Sequence, residues 1–175
     1  MFSLETLRID LNALTGDSLE KNWVLDDEYF SALQDVEIQR GNVNVEVTLH
    51  KAENYFDLQI RTEGHVVVTC DRCLDEMEQP VKSDSRFIVK LGIANGEDDD
   101  TITVDENEGM LDLPWIVYES IALSVPIKHV HAPGKCNTAM TEKLEELSAT
   151  RSGDGTDDTA VDPRWSKLTE LKEKY

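Results

Sequence analysis

No stretch of this chain approaches the roughly 18 consecutive apolar residues that a membrane-spanning helix requires. Residues 1–10 carry Glu5, Arg8 and Asp10, which interrupt anything resembling a signal-peptide core. A cytoplasmic location is therefore expected. Cysteine is scarce: Cys70, Cys73 and Cys136 are the full complement. An odd number of thiols without a secretion signal argues against a disulfide framework. Positive charge is scarce as well. Against 36 Asp and Glu stand 17 Lys and Arg, a formal net charge of −19 over 175 residues. A surface this negative repels phosphate backbones, so broad RNA binding by the chain alone is disfavoured, while a small basic patch can still act locally. Solubility accounts for the same charge equally well. A Gly-rich phosphate loop, a His-Glu-x-x-His helix and a Gly-x-Ser-x-Gly elbow are all missing. No enzymatic activity, small-molecule substrate or membrane is expected.

What is present is a dense region of alternating apolar residues. Leu7, Ile9 and Leu11 alternate within Leu4–Leu14, as in a half-buried strand. Asp26, Asp27 and Glu28 precede Tyr29, Phe30 and Leu33, the pattern of a short helix with an acidic first turn. Val36 and Ile38 alternate, Gly41-Asn42 turns the chain, and Val43, Val45, Val47 and Leu49 alternate again. After Glu53-Asn54, Phe56, Leu58 and Ile60 continue the period; Gly64 reads as a strand end, with Val66–Val68 opening another strand into Cys70. Phe87, Val89 and Leu91 return to the sheet. Short turns between such runs imply an antiparallel meander with one buried face. The fold expected is α+β: an antiparallel, partly closed barrel-like sheet with a few packed helices and a flexible acidic loop.

That loop lies between Gly96 and Asp112, where Glu97, Asp98, Asp99, Asp100, Asp105, Glu106, Glu108 and Asp112 face no Lys or Arg and only Ile102 and Val104 suggest a brief strand. A solvated run that keeps a sheet edge from pairing is the simplest reading. The spacing lacks the Asp-x-Asp-x-Asp-Gly loop of a calcium site. A docking surface for a basic protein stays open, with Glu97, Asp98, Asp99, Asp100, Asp105 and Glu106 as its candidates. Leu113–Leu123 is the strongest helical pattern, opened by Pro114 and stopped by Pro126. The organisation expected is a β-rich core over 1–145, a polar linker over 146–161 and an amphipathic helix over 162–175, in which Trp165, Leu168 and Leu171 share one stripe. A helix that short needs a surface to dock on.

Cys70 and Cys73 form a Cys-x-x-Cys, and Cys136 follows His129 and His131. Three thiols and one imidazole make a tetrahedral zinc set, with His131, nearer to Cys136, the preferred nitrogen. Isolated buried thiols in a reduced cell account for the same residues. A redox dithiol is the weaker chemical reading. The pair follows an extended run rather than opening a helix, and Asp75, Glu76 and Glu78 should raise its thiol pKa against the opposing effect of Arg72.

Cys70-Asp71-Arg72-Cys73-Leu74 resembles the Cys-x-Arg-Cys signature of the YceD family. The helix from Asp112-Leu113 to Val125-Pro126, His131 with Cys136, and the closing Asp162-Pro163-Arg164-Trp165 with Leu168 and Leu171-Lys172 are similar as well. The resemblance runs from Val43–Leu49 to the C-terminus. It implies a β-rich α+β domain linked to accumulation of large-subunit (23S) ribosomal RNA, with a large-subunit ribosomal protein or pre-ribosomal particle as partner. Some relatives carry further cysteine pairs beyond the position of Cys136; this chain has none. Contacts to RNA or partner are expected at Arg72, Arg164, Lys167 and Lys172, and structural zinc at Cys70, Cys73, His131 and Cys136. A zinc-stabilised RNA-binding module is the alternative function.

Overall fold

The computed structural model describes residues 3–34, 36–92 and 101–148. Contacts divide the chain into two compact units, Met1–Thr141 and Glu142–Tyr175. The first contains β1 (Arg8–Asp10), β2 (Ser18–Leu25), α1 (Asp27–Ala32), β3 (Gly41–Lys51), β4 (Phe56–Thr69), β5 (Glu76–Leu91), β6 (Thr101–Val104), β7 (Met110–Asp112) and α2 (Pro114–Ala122). The short helix α3 (Thr138–Leu147) runs across the boundary and has no buried side chain. Residues 162–175 and the linker from 149 onward lie outside the described residues, as do Glu97, Asp98, Asp99, Asp100, Arg164, Lys167 and Lys172.

The main sheet has the order β2-β3-β4-β5-β6, antiparallel except for the parallel β5–β6 pair; β1 and β7 form a separate antiparallel pair. This is a mixed α/β architecture with an open sheet, edged by β2 and β6, rather than the partly closed barrel expected. Alternation decides the buried face. Val43, Val45, Val47 and Leu49 on β3 and Leu58, Ile60 and Val66 on β4 are at most 1% exposed. They join Leu25, Tyr29, Phe30, Leu113, Val117 and Ile121 in one core. Helix α1 packs on β2 and β3, and α2 on β4 and β5. Each fully buried aliphatic side chain contributes about 1.5–3 kcal/mol.

Local sequence explains the helix starts. The Asp26 carboxylate caps α1, accepting from the Glu28 and Tyr29 backbone N–H groups. Pro114 occupies the first turn of α2, where its missing N–H costs nothing. Three strand readings change. Leu4–Leu7 is a 3-10 turn, so only Arg8–Asp10 is extended within the segment expected as one strand. Gly64 does not end a strand. It sits inside β4 opposite Val43, where any Cβ would collide with the Asn42 carbonyl oxygen. Strand β5 starts ten residues before Arg86 and runs through Pro80. Among the described residues β6 covers only Ile88–Leu91 of its far edge, so Pro80 sits on a strand edge where the lack of an N–H is tolerated.

The outer face of the sheet is charged but internally matched. Lys82 donates to Glu63 (2.8 Å), Arg61 to Asp84 (3.2 Å) and Arg86 to Asp57. Such exposed pairs add little stability. They do leave these cations committed to carboxylates rather than available to phosphate.

Candidate metal centre

The chain leaves β4 at Thr69 and reverses through Cys70–Asp75 into β5. Two backbone hydrogen bonds close this knuckle: the Leu74 N–H donates to the Cys70 carbonyl (3.0 Å), and the Cys70 N–H to the Asp75 carbonyl (2.9 Å). The reversal requires a positive φ at Leu74, 64°, the only such value at a non-glycine residue among those described. A leucine in the left-handed region costs about 1–2 kcal/mol. Its side chain is 65% exposed, so core packing does not offset that cost.

The second half of the site is the segment after α2. Asp71 donates its N–H to the His129 carbonyl (3.0 Å) and accepts the His129 N–H on its carboxylate (2.8 Å). The Asn137 side chain donates to the Asp75 carboxylate (3.1 Å). Gly134, at φ 79°, turns the chain between His131 and Cys136. Asp71 and Asp75 thus tie the knuckle to a loop some sixty residues away in sequence.

Between these ties the four side chains singled out in sequence come together. The Cys70 and Cys136 sulfurs are 4.0 Å apart, Cys73 Sγ lies 3.3 Å from His131 Nδ1, and all four ligand atoms fall within 4.8 Å of one another. Bonds of about 2.3 Å to sulfur and 2.0–2.1 Å to nitrogen give a tetrahedron with edges near 3.6–3.8 Å, so zinc fits this donor set. His129 takes no part; its ring lies 3.1 Å from the Pro126 carbonyl oxygen and 3.6 Å from the Asp71 carboxylate. Cys70 and Cys73 are buried, while Cys136 and His131 are half-buried.

The electrostatics contradict one expectation. Burial opposes ionisation of Cys70, but the backbone N–H groups of Cys73, His131 and Arg72, together with the His131 ring, bring its pKa down from 9.0 to about 6. The carboxylates at 75, 76 and 78 do not set it. A hydrogen bond to Cys70 raises the pKa of His131, against burial and with further help from Cys73. Burial, followed by hydrogen bonds with Cys73 and Cys70, pushes Cys136 up to about 11. A thiolate beside an imidazole whose proton affinity is raised, and a thiol that keeps its proton, make a site where a cation would displace protons.

The other sequence candidates are placed apart. Arg72 is exposed at the knuckle tip and forms no ion pair among the described residues. Asp105 accepts from the Asn107 backbone and side chain (2.7 and 3.0 Å), which lowers its pKa and makes it a turn-forming residue between β6 and β7; Glu106 is exposed in that turn. Sequence reasoning missed Asp71, Asp75 and Asn137 as braces and the strained backbone of Leu74. The Asp-Arg inside the Cys-x-x-Cys was visible, but nothing local marked its partners.

An open, mostly antiparallel sheet whose β4–β5 reversal brings two cysteines against a histidine and a third cysteine from the segment after α2 defines a sheet domain with a four-donor corner that could hold a metal ion. The chain belongs to the YceD family: residues 58–172 match the family described as Large ribosomal RNA subunit accumulation protein YceD. No individual curated protein and no solved structure matches. The family description names the accumulation of large-subunit ribosomal RNA, a process rather than a reaction. Among the described residues, no helix is long and apolar enough to cross a membrane.

Proposed function

We propose that this protein is a non-catalytic factor in large ribosomal subunit assembly that holds a ribosomal protein or a pre-ribosomal particle. One observation carries the reading. The ligand atoms of Cys70, Cys73, His131 and Cys136 lie within 4.8 Å of one another, a complete set of four donors that would leave a tetrahedral zinc no open position for water or substrate. Zinc bound there would supply rigidity to the knuckle and its loop. Acidic residues such as Asp105 and Glu106, with the run from Glu97 to Asp100, would attract a basic ribosomal protein and speed its encounter. The test is affinity purification from cells at low salt, with identification of co-purifying protein and RNA. Large-subunit proteins or precursor RNA should be recovered, and cells lacking the protein should lose mature large-subunit RNA. A normal ribosome profile in such cells, with no ribosomal component recovered, overturns the reading.

A zinc-stabilised RNA contact is the second reading, favoured by a separate observation. Arg72, Lys128 and Lys135 flank the ligands in sequence, are exposed, and carry no ion pair among the described residues, unlike the matched cations of the sheet. Loss of RNA, but not protein, from the purified assembly on substituting these three by alanine would support it. A thiol oxidoreductase is disfavoured by access: Cys70 is fully buried and Cys73 is 1% exposed.

A further inference from the structure

Beside the metal corner lies a cleft of about 620 Å³, bounded by the segment leading into β3, the end of β4 with the knuckle, and the chain leaving α2. Its apolar wall is built from Val67, Leu74, Val125 and Ile127. Leu74 and Ile127 are held in solvent, Ile127 with no measurable cover. Ile127 contributes nothing to the core, and a glycine would make the knuckle turn at Leu74 with less strain. Exposed apolar residues on two separate elements that converge on one cleft are the mark of a binding surface.

The charges on its rim say what fits. Glu37, Asp71 and Glu76 line the cleft, where the only permanent cation among the described residues, Arg40, is already paired with Glu76. A second cleft, which shares Val67 with the first, is lined by Asp26, Asp27, Glu28 and Glu78, with His65 its only basic side chain among the described residues. Seven carboxylates therefore line two clefts that share Val67. A second copy of this chain, itself at −19, would be repelled, and so would a nucleic acid strand.

We propose that these two clefts, side by side at Val67, dock a short segment of a basic protein. One or two apolar side chains would rest against Leu74 and Ile127, and lysine or arginine would reach toward Asp26, Asp27, Glu28 and Glu78. This rests on the reading of the protein as an assembly factor and names the surface and chemistry of its protein partner.

The test uses the full-length protein with a labelled short peptide containing two leucines within a run of lysines, the same peptide with serines for leucines, and a short mixed-sequence RNA. The leucine peptide should bind, weakening as salt rises, and the serine peptide should bind about tenfold more weakly. Leu74→Gly and Ile127→Ser should each weaken the leucine peptide by about tenfold, with metal content and melting temperature undiminished; Leu74→Gly relieves strain and Ile127 is fully exposed, so neither change threatens folding. Glu78→Gln should reduce the salt dependence. The proposal is overturned if the wild type fails to bind the leucine peptide or if Leu74→Gly binds it equally well. It also fails if RNA competes for the Leu74 surface, or if the chain is a dimer that Leu74→Gly dissociates. If both variants still co-purify with large-subunit components, the cleft assignment is wrong while the assembly role stands. If the wild type recovers no such components, the assembly role falls, and the peptide titration still decides the cleft.

Discussion

The sheet and the knuckle corner bury side chains for opposite physical reasons. Along β3 and β4 most inward residues are apolar side chains with no polar demand, the buried Thr62 with its 2.7 Å hydroxyl contact to Ser83 excepted; burial itself is the main stabilising term there. At the corner, the buried groups are two thiols facing a third thiol and an imidazole, with two proton affinities raised and one lowered. Polar groups gathered this way need a partner to satisfy them. The sheet can fold on area alone, whereas the corner is complete only with a cation or a network of shared protons. The same contrast holds at the surface. The outer face of the sheet matches its charges strand by strand, while the corner projects an unpaired Arg72 and a strained, exposed Leu74. The self-satisfied region supports, and the unsatisfied region is where partners are met.

The separation can be broken most sharply at the ligands. Cys73→Ser should lower zinc affinity by more than about a hundredfold, exceeding what loss of an outer-shell group costs, while far-UV circular dichroism retains the sheet; a sheet that melts with the metal would show the two regions to be one cooperative unit. Leu58→Ala should do the reverse. It should destabilise the fold by about 3 kcal/mol in urea titration and leave zinc stoichiometry at low temperature unchanged.

Proton competition comes next. Cys136, pushed up to about 11, holds its proton at neutral pH and the pKa of His131 is raised, whereas Cys70 at about 6 is already a thiolate. Metal must displace the proton on Cys136 and any proton that the raised pKa of His131 retains, so zinc affinity should fall as pH falls, by about tenfold per unit for each proton released. Proton release on zinc addition in weak buffer measures this directly, and release of fewer than one proton would refute the assignment. Tyr29→Phe should cost about 1 kcal/mol, because it leaves the Pro114 carbonyl, now bonded at 2.7 Å, without its buried donor. Smallest of all, Arg61→Ala should leave the melting temperature within error, since its pair with Asp84 is exposed. A clear loss there would show that the outer face of the sheet is more than a matched surface.

Much of the fold was legible, and the reasons are local. Alternation in Val43–Leu49 and Phe56–Ile60 places those residues on the core face, Asp26 caps α1, and Pro114 opens α2. What was illegible depended on neighbours. Strand β2 (Ser18–Leu25) mixes charged and apolar residues because it pairs on one side only. The early half of β5 reads as polar for the same reason, and Pro80 inside it looks like a stop until its open edge is known. Gly64 reads as a turn until Asn42 is found pressed against it. Helix α3 carries no buried side chain, and its sequence therefore had no stripe to read.

The sequence alone determined the strand and helix phases of the core, the acidic surface and the inventory of possible ligands, because periodicity, capping and charge are properties of near neighbours. Only the tertiary structure decided that Cys70 and Cys73 meet His131 and Cys136, that His129 stands aside as a brace, and that Leu74 is held outward at the lip of an acid-lined cleft. Those outcomes depend on the return of the chain from α2 past the β4–β5 reversal, a closure across some sixty residues whose position is fixed by the packed core rather than by any local pattern.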